Sequence, residues 1–263
     1  MFRNPSEVVV VGQLEGRVAV VTGAGRGLGR ATAVALANEG AKVALVARSS
    51  LELAEAAGEV RAVGGCALEI RADVGAPDVA TLVCRRVASE LGPVDILVNN
   101  AAVVWPLEST LRLDPEDWIA SLQINLVGVL RLTRAVLPEM VERGWGRIVN
   151  VSSGVVDFPG DMVGANAYVT SKAALEGHTL NLAAELAGTG VTANVLRPGM
   201  VNTAMQAWIR EQPTERVGTA LHDWFVQMQE SGMLLEPAEP ARMIAELVAS
   251  EANGEVVDAR RQR

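Results

Sequence analysis

Tyrosine is almost missing from this chain: Tyr168 is the only one in 263 residues, and phenylalanine occurs three times. A residue that the composition otherwise avoids draws attention to where it stands. Cysteine is also scarce. Cys66 and Cys84 each fall inside an apolar-periodic segment, which excludes a disulfide framework and predicts buried thiols in a reducing, cytoplasmic setting. The two histidines, His178 and His222, lie far apart with no cysteine or carboxylate at ligand spacing, so they read as helix-surface or core residues and no metal site is expected. Basic residues number 23 against 31 acidic, and the formal charge of −8 argues against nucleic acid or an anionic membrane as a partner. Long apolar runs are absent from the opening MFRNPSEVVVVGQLEG, where Val8 to Val11 is too short to span a bilayer, and no export leader is expected there. What is plentiful is core material. With 49% hydrophobic residues the chain can build one large domain, expected to occupy residues 1–263 behind a short N-terminal extension, 1–14.

Short β-branched runs alternate with longer helical patterns throughout. RVAVVT, KVALVA, CALEIRADV, VDILVNNA, GRIVNVSS and VTANVLRP are the strand candidates, and a short seventh is expected in the tail EVVDA. Helical patterns begin near Leu28, Leu51, Pro77, Pro115, Ala165 and Pro237, the longest running from Pro115 to about Arg143. This rhythm predicts an α/β fold: a doubly wound, Rossmann-type domain with a seven-stranded, mostly parallel sheet covered by helices on both faces. Residues 200–235 break the rhythm, holding no strand of their own, and read as an insertion over the top of the sheet.

The first strand runs directly into TGAGRGLG, that is Thr22, Gly23, Gly25, Arg26, Gly27, Leu28 and Gly29 around Ala24. A strand that ends in glycines and opens a helix offers backbone N–H groups and the positive helix end to a pyrophosphate. The spacing is G-x-x-x-G-x-G rather than the commoner G-x-G-x-x-G, and no Lys-Ser or Lys-Thr follows, which excludes a Walker-type phosphoryl-transfer loop. Bland turn glycines are the competing reading, weakened by their place between a β-branched strand and an Ala-rich helix. The second strand ends at Ala47, Arg48 and Ser49, where a carboxylate would accept from a ribose 2′-hydroxyl and a cation would accommodate a 2′-phosphate. Arg48 and Arg26 supply cations and the strand end supplies no carboxylate, so NADP(H) is preferred over NAD(H). Arg48 could also be an ordinary solvated residue ahead of a helix.

Tyr168 stands four positions before Lys172 in a helical segment, so the two side chains share a face. A phenol titrates near 10, too high for easy proton exchange at neutral pH, and a neighbouring ammonium favours the phenolate. Such pairs also arise by chance in many helices. Two further residues strengthen the reading. Ser153 ends the fifth strand, where open α/β sheets keep their ligands, and its hydroxyl can bind a substrate oxygen. Asn125 lies among apolar residues of the long helix, where its amide needs partners: a water chain, the lysine or a backbone group.

In order along the chain stand T-G-x-x-x-G-x-G at Thr22 to Gly29, Asp73-Val74, N-N-A at Asn99 to Ala101, Asn125, Ser153, Y-x-x-x-K at Tyr168 and Lys172, and R-P-G-x-V-x-T at Arg197 to Thr203. The chain resembles a short-chain dehydrogenase/reductase over nearly its whole length. That resemblance implies that Tyr168 is the acid/base, that Ser153 positions the carbonyl or hydroxyl, that Lys172 holds the nicotinamide ribose, and that Asn125 supports a proton-relay water. It implies also that Asp73 and Val74 touch the adenine, that Asn99 contacts the adenine ribose beside Ala101, and that Pro198, Gly199, Val201 and Thr203 lie along the nicotinamide. A homodimer or homotetramer built through the long fourth and fifth helices is likewise implied. NNAA in place of the family's N-N-A-G is a departure at Ala102. Ser152 beside Ser153 leaves open which serine points inward, with Ser153 preferred.

Within residues 200–235, Leu221, Trp224, Phe225 and Met228 form one apolar stripe, and Met205, Trp208 and Ile209 a shorter one. If they cover an active site, with Trp105 and Pro106 nearby, the substrate is an apolar ketone or secondary alcohol: lipid-like, steroid-like or aromatic. Packing onto the core or a sister subunit explains the stripes equally well. Two alternatives accompany this reading: a 3-oxoacyl-(acyl-carrier-protein) reductase, although the segment NLAAELAGTG has no base for docking a carrier, and a catalytically silent nucleotide-binding regulator.

Overall fold

A computed structural model describes residues 12–262. The chain runs β1 (Val18–Thr22), α1 (Gly27–Asn38), β2 (Lys42–Ala47), α2 (Ser50–Ala62), β3 (Cys66–Arg71), α3 (Val79–Glu90), β4 (Ile96–Asn99), α4 (Pro115–Leu122), α5 (Gly128–Glu142), β5 (Gly146–Val151), α6 (Asn166–Glu185) and β6 (Val191–Arg197). It continues through α7 (Ala204–Arg210), α8 (Thr214–Val217), α9 (Thr219–Glu230), α10 (Ala238–Ala249) and β7 (Val256–Asp258). The first eleven residues of the N-terminal extension lie outside the described residues.

The seven strands form one sheet in the order β3-β2-β1-β4-β5-β6-β7, and every neighbouring pair is parallel. Such strands are buried on both faces, and every residue of β1, β4, β5 and β6 is buried, with β1 and β4 reading as near-continuous apolar runs. Period two still divides the strand: Ala19 and Val21 face a core closed by α1, α2 and α10, while Val18 and Val20 face one closed by α3, α5 and α6. The order reverses between β1 and β4, so the C-terminal ends of these two strands open a crevice. Residues 115–142 are helical without interruption, and their apolarity is explained by Leu132, Val136 and Met140 packing on the sheet. A π-helical turn at Gln123–Val127 joins α4 to α5.

The expectation of two buried thiols changes. Cys66 is exposed, because it opens edge strand β3 where no further strand covers it; Cys84 is partly buried, and burial pushes its thiol above the ordinary value. The region 200–235 folds as α7, α8 and α9, closed at its ends by a parallel bridge between Val201 and Leu235.

Candidate active site

A cavity of about 700 Å³ lies over the C-terminal ends of the strands. At one end is the glycine turn. Gly23 and Gly27 take φ of +64° and +55°, conformations open to glycine at little cost. A Cβ on Gly29 would sit 2.2 Å from the Gly23 carbonyl oxygen, so only glycine lets α1 start this close to the turn. The first turn of α1 has no acidic residue and no side-chain cap, leaving its N–H groups to a ligand anion. Gly23, Gly25, Arg26, Gly27 and Leu28 line the cavity, as do Ala101, Asp73 and Val74. Thr22 and Gly29 lie behind the wall: the Thr22 hydroxyl accepts from the Asn100 and Ala101 amides at 3.0 and 3.1 Å, fastening the ends of β1 and β4.

Arg48 and Ser49 line the same end, Arg48 exposed and Ser49 capping α2 by accepting from the Glu52 amide. A carboxylate nevertheless reaches this end of the cavity from the next helix. No acid stands at the end of β2, but Glu52, in the first turn of α2, enters the cavity wall and its carboxylate pairs with Arg26 at 3.2 Å. The sequence hides this, because the approach depends on how α2 docks: a Cβ on Gly25 would lie 2.9 Å from the Glu52 Cβ. Asn99 is also placed differently from expectation. Its side chain is buried and donates to Asn150 at 2.8 Å, and Asn100 is the asparagine that lines the cavity.

At the other end Ser153, Tyr168 and Lys172 share the cavity wall. Ser153 hydrogen-bonds the phenol, which favours the phenolate, but burial is the larger effect and the Tyr168 value is raised. The Lys172 ammonium, expected to depress the phenol, is itself desolvated and lowered to about 8, with Glu176 opposing the shift. Its Nζ donates to the Val151 carbonyl at 2.7 Å and stands 5.7 Å from the Tyr168 ring centre. Both serines border the cavity, but the Ser152 hydroxyl is buried and committed to Glu176, to which it donates at 2.6 Å, whereas Ser153 is partly exposed.

Asn125 lies in the π turn behind the site. Its Oδ1 accepts from the Val103 amide and its Nδ2 donates to the Val103 carbonyl, both at 2.8 Å, with Ser171 at 3.1 Å. The partners its burial demanded include the Val103 backbone, Ser171 of α6 and, at 3.5 Å, Ser121 of α4. Pro198, Gly199, Val201 and Thr203 form the wall between the two ends; a Cβ on Gly27 would meet Thr203 at 3.2 Å.

Above the serine and tyrosine, Met205 and Ile209 of α7 and Trp224 and Phe225 of α9 roof the cavity, the two aromatic rings packed edge to face at 4.9 Å. Met200, Met162, Phe158 and Val155 extend the apolar surface. Trp105 and Pro106 do not line it; Val103 and Val104 take that place. Sequence reasoning missed Glu52, Met162 and Arg260, lining residues that belong to no spaced motif, and within N-N-A it singled out Asn99 where Asn100 is the residue that lines the cavity.

A dinucleotide-sized crevice at a strand-order reversal, with serine, tyrosine and lysine at its far end, defines an oxidoreductase that works with a nicotinamide cofactor. The family profile for short chain dehydrogenase matches residues 17–214, and the chain belongs to that family, whose members act on CH–OH or carbonyl groups. It is 41% identical over 214 residues to a short chain dehydrogenase of Pseudocercospora fijiensis, covering 80% of this chain and 66% of that protein. It is 36% identical over 239 residues to the 3-oxoacyl-(acyl-carrier-protein) reductase FabG of Vibrio cholerae, covering 91% and 92%. Among solved structures it resembles an actinorhodin polyketide ketoreductase variant with NADPH, at a TM-score of 0.83 and 35% identity over 95% of this chain and 97% of the other. Solved neighbours include enzymes bound to NAD+ as well as to NADPH.

Proposed function

We propose that this protein is an NADP(H)-dependent oxidoreductase that interconverts an apolar ketone and its secondary alcohol, with Tyr168 as the proton-transferring group. The observation that carries this reading is one continuous cavity: glycine-lined at one end, with Arg26 and Arg48 beside Glu52 and Asp73, Ser–Tyr–Lys at the other, and roofed by apolar side chains. A nicotinamide cofactor fits the residues present, since the α1 N-terminus lacks an acid or cap of its own and two guanidiniums flank the end of β2. When bound, the cofactor supplies or accepts the hydride.

The residues of the chain do the rest. The Ser153 hydroxyl donates to the substrate oxygen and sets it against the Tyr168 phenol. Tyr168, whose raised value keeps it protonated at neutral pH, donates a proton as the carbonyl oxygen gains charge in the reduction. Lys172 holds the nicotinamide ribose and supplies positive charge beside the phenolate. Asn125, locked to Val103, keeps the loop after β4 in place and supports the relay that reprotonates the tyrosine. Asp73 and Val74 meet the adenine, the Asn99–Ala101 turn its ribose, and Val201 and Thr203 the carboxamide. Arg26, Arg48 and Ser49 receive the 2′-phosphate, drawing Arg26 from Glu52; exposed ion pairs of this kind hold by only about 0–1 kcal/mol.

A panel of apolar ketones and alcohols assayed with both cofactors tests this reading. Equal or better kcat/KM with NADH, or an Arg48→Asp variant with unchanged preference, overturns the NADPH assignment; turnover of small charged or sugar-like carbonyls alone overturns the substrate class. The similarity to FabG favours a second reading, a 3-oxoacyl-(acyl-carrier-protein) reductase, so a 3-oxoacyl thioester belongs in the panel. The setting we infer is the reducing cytoplasm, without a nucleic-acid or membrane partner, and the assembly a homodimer or homotetramer.

A further inference from the structure

Directly behind the candidate site lies a buried ionic cluster that the proton transfer described above does not use. Glu176 stands one turn beyond Lys172 on α6, on the same face as Tyr168 and Lys172, and is 6% exposed. Its carboxylate accepts from three donors: the Ser152 hydroxyl at 2.6 Å, Arg197 Nε at 2.8 Å and Arg197 Nη2 at 2.7 Å. The remaining Nη1 of Arg197 donates to Asp157 at 2.6 Å. Ser152 follows β5 and precedes Ser153; Arg197 ends β6 and precedes Pro198 and Gly199; Asp157 lies in the turn after Ser153. One carboxylate therefore ties together the strand end that carries the serine, the helix that carries the tyrosine and lysine, and the loop that walls the cavity.

For folding alone this arrangement has little to recommend it. Burying such a pair costs several kcal/mol per ion, and well-packed apolar residues of similar volume are often as stable. The advantage it does give is geometric, because a bidentate guanidinium–carboxylate pair fixes distance and orientation together. We propose that Glu176, held by Arg197, is a positioning residue for carbonyl reduction: it sets Ser153 and the Pro198–Gly199 loop against Tyr168 and keeps a negative charge one turn behind Lys172. This inference rests on the acid/base reading of Tyr168 and Lys172.

Around Lys172 the charged groups are Glu176 on its own helix, Arg197 on β6, Asp157 in the turn after β5, and Asp258, Arg260 and Arg261 at the C-terminal edge, which pair with one another or with Asp157. Glu176 opposes the desolvation of Lys172, so removing its charge favours the neutral amine. Glu176→Gln is therefore expected to lower kcat for carbonyl reduction roughly 10²-fold, the cost of an ångström-scale misplacement, with substrate KM little changed. It should also move the alkaline limb of the reduction profile about one pH unit lower. A merely structural role would not move that limb.

Because glutamine leaves Arg197 half-paired and can weaken folding by itself, the double variant Glu176→Leu/Arg197→Met, which removes both charges, is measured alongside. It should fold and still show the fall in kcat, with a smaller shift of the limb because the Arg197 charge is lost as well. Wild-type kcat and an unmoved limb in either folded variant would overturn the inference. Tyr168→Phe separates the two levels: if it stays active, the acid/base reading fails, whereas an inactive Tyr168→Phe beside wild-type-like Glu176 variants removes the positioning role alone.

Discussion

Tyr168 and Lys172 are both buried, and burial acts oppositely on the two groups: it raises the phenol and lowers the ammonium to about 8. In the proposed carbonyl reduction both must be protonated, the tyrosine to donate and the lysine to offset the phenolate left behind. With the phenol raised, the lysine is the first to lose its proton as pH rises. The kcat/KM profile for reduction should accordingly be flat below neutrality and fall through about pH 8, and a limb near 10 would contradict the assignment of that limb to Lys172. Tyr168→Phe should lower kcat by about 10²–10⁴-fold while leaving NADPH binding intact, as followed by fluorescence of the reduced nicotinamide. Most of these residues could be read from the sequence, because Ser153, Tyr168 and Lys172 carry their meaning in residue type and spacing. The direction of the Tyr168 shift could not. Spacing places a lysine on the right face of a helix, but where its ammonium points depends on the Val151 carbonyl of another strand.

At the scale of elements, six strands and the helices between them followed from apolar periodicity and glycine punctuation, which are local properties. Docking is not local. Glu52 reached the cofactor end of the cavity through the packing of α2 on the glycine turn, and Asn99 turned inward because β4 pairs with β5 and brings Asn150 within 2.8 Å. The glycine turn gives a stability prediction. In Gly29→Ala the new methyl meets the Gly23 carbonyl, so chemical denaturation should show a loss of about 3 kcal/mol together with weakened cofactor binding; a variant with unchanged midpoint would contradict the close approach. We expect the α7–α9 roof to set the choice of substrate. Trp224→Ala should lower kcat/KM for bulky apolar ketones by on the order of tenfold while sparing small ones, since a lost apolar contact in a pocket is worth roughly 1–3 kcal/mol.

Taken as a whole, the molecule is a parallel sheet whose order reverses once, so that the glycine turn, the Ser153, Tyr168 and Lys172 side chains and the α7–α9 roof meet at the C-terminal strand ends. Ligand binding there should stabilise the entire fold: NADPH in roughly hundredfold excess over its Kd is expected to add about 2.7 kcal/mol, read as a raised Tm. Ile119, Leu130 and Leu180 stay exposed on α4, α5 and α6, the helices through which we expect the assembly to form. Most directly informative is the rate of reduced-nicotinamide consumption with an apolar ketone, measured for wild type and Tyr168→Phe with NADPH and with NADH. Wild type should turn over with a clear preference for NADPH and the variant should fail with both; undiminished turnover by Tyr168→Phe would contradict the mechanism drawn from this site.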